Sequence, residues 1–246
     1  MNTKTTISII TVSFNAVKTI EETILSVLNQ TYHNIEYIII DGGSTDGTID
    51  IINKYQDRIS YWVSEPDKGI YDAMNKGIAK ANGELVGIIN ADDCYHLNTV
   101  EEIVKNYTSN EKTIFYGNLY WEGLNKLYIP PKKIILHTLY IGMIIPHPTM
   151  FVPREIYKQN GFFHTEYKIC SDYDITLRFL KKNIVFKYIN TIFPLVKMGG
   201  DGISSKKESK KIIIEERFLI RKKNINLFVA ILFYCKERIM FLIRGK

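Results

Sequence analysis

Cysteine is scarce in this chain. The three residues, Cys94, Cys170 and Cys235, are odd in number and scattered. They make neither a disulfide framework nor a zinc site, which points to a reducing compartment. Long apolar runs are also missing, since none reaches the roughly 18 residues of a membrane span. No secretory leader is legible, because the chain passes from Lys4 straight into a strand-like run without a cleavage signature. Glycine is absent where two nucleotide-using classes need it. The segment after the first apolar run reads Ser13-Phe14-Asn15-Ala16-Val17. That excludes the G-x-G-x-x-G turn of a dinucleotide-dependent dehydrogenase and argues against the Gly-rich basic loop of a sugar-1-phosphate nucleotidyltransferase. Aromatics are not in short supply: sixteen Tyr and twelve Phe exclude a disordered chain.

The 246 residues suffice for one large domain, or a domain with an appendage. The net charge of +6 is unevenly placed. From Lys206 to Lys246 twelve Lys and Arg stand against four Glu, a balance of +8, so the rest of the chain is near −2. A basic tail on a near-neutral body suits an anionic membrane surface and not a nucleic-acid groove crossing the fold.

Strand and helix patterns alternate from the start. Ile7 to Val12, Ile35 to Ile40, Ile59 to Val63 and Leu85 to Ile89 read as strands. Between and after them Val17 to Leu28, Ile49 to Tyr55, Ile70 to Ala81 and Leu97 to Tyr107 show helical spacing, with Asn15 placed to cap the first and Asn82-Gly83 to stop the third. This order predicts a mostly parallel sheet with helices on both faces. After residue 110 the pattern is mixed. Strands are expected at Thr113 to Tyr120, Ile144 to Val152 and Ile184 to Ile189, helices at Glu155 to Gln159 and Asp172 to Leu180, and two tail helices broken near Asn224. The reading is therefore a half spanning residues 1–110, a second half of the same domain at 111–205, and a basic amphipathic helical tail at 206–246.

Ligands of open parallel sheets bind at the carboxyl ends of the strands. Here those ends read Thr11-Val12-Ser13, Asp41-Gly42-Gly43-Ser44-Thr45-Asp46 and Asn90-Ala91-Asp92-Asp93. Two adjacent carboxylates repel each other unless a cation is present, and their hard oxygens suit Mg²⁺ or Mn²⁺. Asp41 is placed either to meet a ribose or base or to form its own turn, and Asp46 to cap a turn or helix. Lys68, Asp72 and Asn75 open a helix, where polar groups meet anions. Asp172 and Asp174 stand two apart at a helix start, so both cannot cap it, and one is left for proton transfer. His147 lies between Pro146 and Pro148, and with the Gly199–Gly202 loop it is a candidate for an acceptor or diphosphate contact.

Taken together, several segments resemble the family 2 glycosyltransferases, which share the GT-A fold. They are Ser8 to Asn15, Ser26 to Tyr32, Glu36 to Thr48, Ser64 to Gly77, Asn90 to Asp93, His147 to Phe151 and Ser171 to Arg178. Their order looks closest to bacterial enzymes of surface-polysaccharide assembly. The resemblance implies an inverting transfer of a sugar from a nucleotide-diphosphate donor, a UDP-sugar being favoured, to a saccharide or lipid-linked acceptor. It implies that Thr11, Ser13, Asp41, Lys68 and Asp92 bind the nucleotide and that Asp92 and Asp93 hold Mn²⁺ or Mg²⁺. Asp172 is the catalytic base, with Asp174 the second choice because Ser171 stands where the family has Glu. Asn90 replaces the first Asp of the family's metal element. The expected location is cytoplasmic, at the inner face of the plasma membrane through residues 206–246. A non-catalytic nucleotide-binding scaffold is the alternative.

Overall fold

The computed structural model describes residues 5–108, 112–199 and 208–244. Its first strand, β1 (Ile7–Ser13), is buried along its whole length. A strand covered on both faces must be apolar on both, and β1 is: Ile7 and Ile9 enter one core, Ile10 and Val12 the other. The same alternation runs through β2 (Ile35–Asp41), with Tyr37 and Ile39 on one side and Ile38 and Ile40 on the other. One core packs under α1 (Ile20–Leu28), α2 (Thr48–Lys54) and α4 (Thr99–Asn106). The other packs under α3 (Ile70–Lys80) and α6 (Ser171–Lys181). Gly77 lets α3 lie close on β1, since a Cβ there would come 2.4 Å from Ile10 Cγ2.

The main sheet has seven strands in the order β10-β6-β9-β4-β1-β2-β3. It includes β3 (Tyr61–Ser64), β4 (Leu85–Asn90), β6 (Thr113–Tyr116), β9 (Phe151–Pro153) and β10 (Val185–Tyr188). β1 pairs in parallel with both β2 and β4, while β9 runs antiparallel to its neighbours β4 and β6. The chain builds outward from β1 to β3 and then returns to the other side of β1 as β4. That reversal opens a crevice at the carboxyl ends of β1 and β4, where Val12 stands beside Asn90 and Ser13 beside Asp41.

Several expectations are corrected here. The strand expected over 113–120 bends at Gly117-Asn118 and splits between two sheets, as β6 and β7 (Leu119–Trp121). The strand expected over 144–152 is strand only from Phe151, because Pro146 and Pro148 lack ladder donors and the chain makes a 3₁₀ turn at His147–Thr149. Asn15 does not cap α1, which starts at Ile20. It takes a left-handed conformation (φ 49°), and its side chain accepts from the Thr45 amide. A four-stranded second sheet, of β5 (Cys94–Tyr95), β11 (Val196–Met198), β7 and β8 (Lys126–Tyr128), went unforeseen because its strands are only two or three residues long. A short helix, α5 (Arg154–Asn160), follows β9. The tail forms two helices, α7 (Ser209–Asn224) and α8 (Leu227–Arg244), broken after Asn224 as the sequence suggests.

Candidate active site

The ends of β1 and β2 are tied into one loop by Asp41. Its Oδ1 accepts from the Ser13 and Ser44 hydroxyls at 2.8 and 2.6 Å, and its Oδ2 from the Gly43 and Ser44 amides and the Ser64 hydroxyl. Burial alone would raise its pKa, but these donors, Ser44 foremost, hold it below the usual carboxylate range. Asp41 is fully buried, so here it organises the loop and shows no oxygen to the crevice. Thr11 is likewise fully buried, with its hydroxyl 2.9 Å from that of Tyr37. Ser13 faces inward to Asp41. Asp46 closes the loop by accepting from Thr48 and from the Val17 amide. A large exposed aromatic at this edge is Phe14, 64% accessible, beside Gly42 and Asp67. Phe14 is not among the residues singled out from sequence, although a large aromatic just beyond a strand's carboxyl end is a signal for a stacking surface. Lys68 is exposed just before α3, and its amide donates to Asp72.

The two carboxylates after β4 have different surroundings. Asp93 is fully buried, with Oδ2 accepting from Asn90 Nδ2 at 3.0 Å and Oδ1 from the Gly199 amide at 3.1 Å. Burial, and then the charge of Asp92, push it up to about 8. Asp92 is half-buried. Asn90 Oδ1 is buried and has no hydrogen-bond partner among the described residues. An orphaned hard oxygen next to a carboxylate is the donor set that Mg²⁺ or Mn²⁺ prefers. Among the described residues no three His, Cys, Asp or Glu gather into a cage. Asp92 and Asn90 are the groups that could hold such an ion, and Asp93 fixes Asn90 and Gly199 from behind. Of the Gly199–Gly202 loop, only Gly199 lies within the described residues. A Cβ on Gly199 would sit 2.4 Å from the Asp92 carbonyl, so this approach needs glycine.

Asn90 opens into a cavity of about 500 Å³ that also reaches Asp172, His147, Lys168 and Arg217. Asp172 sits in the first turn of α6, and one of its oxygens accepts from the Tyr173 amide at 2.8 Å. Burial pushes its carboxyl up to about 6, a rise that Tyr173's amide and then Arg217's charge restrain. Asp174 lies off this cavity. It is fully buried, hydrogen-bonded by Arg178 and Asn224 at 2.9 Å each, with His164 Nδ1 2.8 Å away, whereas Asp172 is the carboxylate on the cavity lining. Burial lowers His147 to about 4, which leaves it neutral, edge-on to the Phe163 ring at 5.4 Å. Lys168 and Arg217 were not anticipated. Lys168 lies three residues before Ser171, and Arg217 belongs to a tail whose charges the sequence presents only as a net balance.

The fold has known counterparts. The glycosyl transferase family 2 profile matches residues 8–184. A glycosyltransferase of Haemophilus influenzae is 31% identical over 224 residues, covering 88% of this chain and 89% of its own. A PGL/p-HBAD biosynthesis glycosyltransferase of Mycobacterium bovis is 26% identical over 220 residues, covering 87% and 82%. Among solved structures, S. aureus TarS 1–349 in complex with UDP-GlcNAc superposes with a TM-score of 0.69 at 17% identity, over 96% of this chain and 71% of that one. A mannosyltransferase of Pyrobaculum calidifontis in complex with GDP-Man and Mn²⁺ gives 0.65 at 14% identity, over 96% and 74%. The structural likenesses establish a GT-A fold, and with the profile match and the curated relatives they show that this chain belongs to glycosyl transferase family 2.

Proposed function

We propose that the protein is an inverting glycosyltransferase that moves a sugar from a nucleotide-diphosphate donor to an acceptor hydroxyl. The observation that carries this reading is that Asp172 and Asn90 open into one cavity at the carboxyl edge of the sheet. Direct displacement at the anomeric carbon needs a base on one side and a stabilised leaving group on the other. Asp172 takes the acceptor's proton as its oxygen attacks. Phe14 offers a face for the nucleobase, and Asp41 and Thr11 hold the loop beneath it. Lys68 stands exposed at the same edge to meet phosphate. A Mn²⁺ or Mg²⁺ bound through Asp92 and Asn90 supplies charge neutralisation for the departing diphosphate. A UDP-sugar is the favoured donor, supported by the UDP-GlcNAc complex of TarS, while the GDP-Man and Mn²⁺ of the Pyrobaculum enzyme support a nucleotide–metal pair of either base. A saccharide or lipid-linked acceptor in surface-polysaccharide or glycolipid assembly is supported by the relative named for PGL/p-HBAD biosynthesis.

The inner face of the plasma membrane is the proposed location. The support is one face of α8, on which Leu227, Phe228, Ile231, Leu232, Ile239, Leu242 and Ile243 are exposed, together with exposed Lys210, Lys211, Lys222 and Lys223 on the α7 helix that packs against it. No described helix is long and apolar enough to cross a membrane. An apolar stripe with basic flanks lies in an interface.

Calorimetric titration with UDP, GDP and dTDP, with and without Mn²⁺, tests the donor reading. UDP is expected to bind only with Mn²⁺, and Asp92→Asn to weaken it roughly tenfold or more, the scale of one charged contact. Failure of all three nucleotides to bind would overturn the donor reading, whereas nucleotide binding without any sugar transfer or donor hydrolysis would favour the non-catalytic nucleotide-binding scaffold.

A further inference from the structure

α7 lies beyond the family-matched span of residues 8–184, yet it forms one wall of the cavity through Ile213 and Arg217. It is fastened there. Glu216, 7% exposed, accepts from the amides of Lys168, Ile169 and Cys170 at 2.6, 3.0 and 2.9 Å, the segment that leads directly into Asp172. The next residue, Arg217, lies over the backbone of Gly142, where an added Cβ would meet its guanidinium carbon at 2.9 Å. Its ion pair among the described residues is with Glu237, at 3.5 Å, and Glu237 is already gripped by Arg221 with two bonds of 2.8 and 3.0 Å. Arg217 Nε is buried without a hydrogen-bond partner. The cavity is therefore lined by a guanidinium that has one long ion pair and an Nε without a partner, with Lys168 on the same lining.

We propose that Arg217, with Lys168, is an acceptor-recognition site for a phosphate group, and that the acceptor is a lipid-linked phosphate or diphosphate sugar. The inference rests on the reading of Asp172 as base. In an in-line displacement the attacking hydroxyl and the leaving diphosphate approach from opposite sides of the reacting carbon. Glu216 fastens the turn that carries Arg217 to residues 168–170, which lead directly into Asp172, so Arg217 and Lys168 lie on the base's side of the cavity, where the acceptor hydroxyl must arrive. Guanidinium binds phosphate in a planar, two-pronged fashion, and the Nε of Arg217 has no partner. The rest of the lining suits a lipid: Met143, Ile144 and Ile213 are apolar, and Trp121 and Tyr128 offer ring faces for a sugar. α7 also carries α8, whose apolar stripe is exposed on the outside of the molecule.

Titration of the full chain with farnesyl diphosphate, farnesol, inorganic diphosphate and, separately, UDP with Mn²⁺ tests the proposal. Farnesyl diphosphate is expected to bind at least tenfold more tightly than either farnesol or inorganic diphosphate. Arg217→Ala is expected to remove roughly ten- to hundredfold of that affinity, the worth of a charged hydrogen bond. Arg217→Lys should retain part of it, and UDP binding should change less than twofold. Lys168→Ala, at an exposed position, gives a smaller loss in the same direction and serves if Arg217→Ala lowers the melting temperature. Equal binding of farnesol and farnesyl diphosphate would overturn the phosphate site. Equal binding of inorganic and farnesyl diphosphate would overturn the lipid. A loss confined to UDP would move Arg217 to the donor. None of these outcomes depends on turnover, so they are distinct from a failure of Asp172 as base.

Discussion

Burial pushes the Asp172 carboxyl up to about 6, and a base must be ionised to accept a proton. Turnover is expected to fall below about pH 6, tenfold per unit, and Asp172→Asn to lower it roughly 10²–10⁴-fold. The same burial has a thermodynamic sign. The folded carboxyl ionises well above its ordinary 3.8. Its ionisation therefore works against the fold, from nothing below about pH 4 to its full extent above about pH 6. Asp172→Asn should then stabilise the protein at pH 7.5 by about 1–3 kcal/mol, and not at all below pH 4. A melting temperature that is unchanged or lower at pH 7.5, together with undiminished turnover, would remove Asp172 from its role. Asp174 has the same side chain but is encircled by Arg178, His164 and Asn224, and no spacing rule separates the two. The partners come from residues 4 to 50 positions away, which is why the sequence could leave only a choice between them. Asp92 and Asp93 are separated in the same manner, by Asn90 and by Gly199 106 residues from Asp93.

At the scale of elements, local pattern was sufficient wherever an element was long and buried on a clear period. β1, β2, β4 and α3 lie where apolar alternation or helical spacing puts them, within two residues. The second sheet was illegible because two- and three-residue strands have no period to detect, and β9 because a proline pair precedes it. α7 was legible as a helix but not as a wall of the site, since Glu216 meets its three amides across 46 to 48 residues. Glu216→Gln keeps the shape but replaces one accepting oxygen by a donor facing another donor. Leaving a buried amide unpaired costs about 1–3 kcal/mol. The expected result is a melting temperature lower by roughly 2–10 °C for a chain of this size, with kcat falling and the KM for the nucleotide donor unchanged. A fall in donor affinity without change in kcat would contradict this coupling of α7 to the base.

The whole molecule is a near-neutral catalytic body with a basic helical pair on one side. Cutting the tail off to test for membrane binding would confound two effects, because α7 is part of the fold. Substituting Phe228, Leu232 and Ile239 by Ser alters only the exposed stripe of α8. The full chain is expected to float with vesicles containing anionic lipid and to be released by the triple substitution or by high salt. Flotation that is the same for both proteins, or equal on neutral vesicles, would set the idea aside. Net charge and the tail's asymmetry were readable from composition, whereas the direction in which the apolar stripe faces was not, since it depends on what α7 covers. The antiparallel strand at the middle of the sheet has a consequence of its own. β4 is flanked by β1 on one side and by β9 on the other, yet β9 starts at Phe151, far downstream of Asn90. During synthesis at ~5–20 residues per second, the apolar edge of β4 waits several seconds for its second neighbour to leave the ribosome. In that interval a nascent chain offers a bare, sticky strand to its surroundings, so the yield of native protein depends on translation speed and on chaperones that cover such edges.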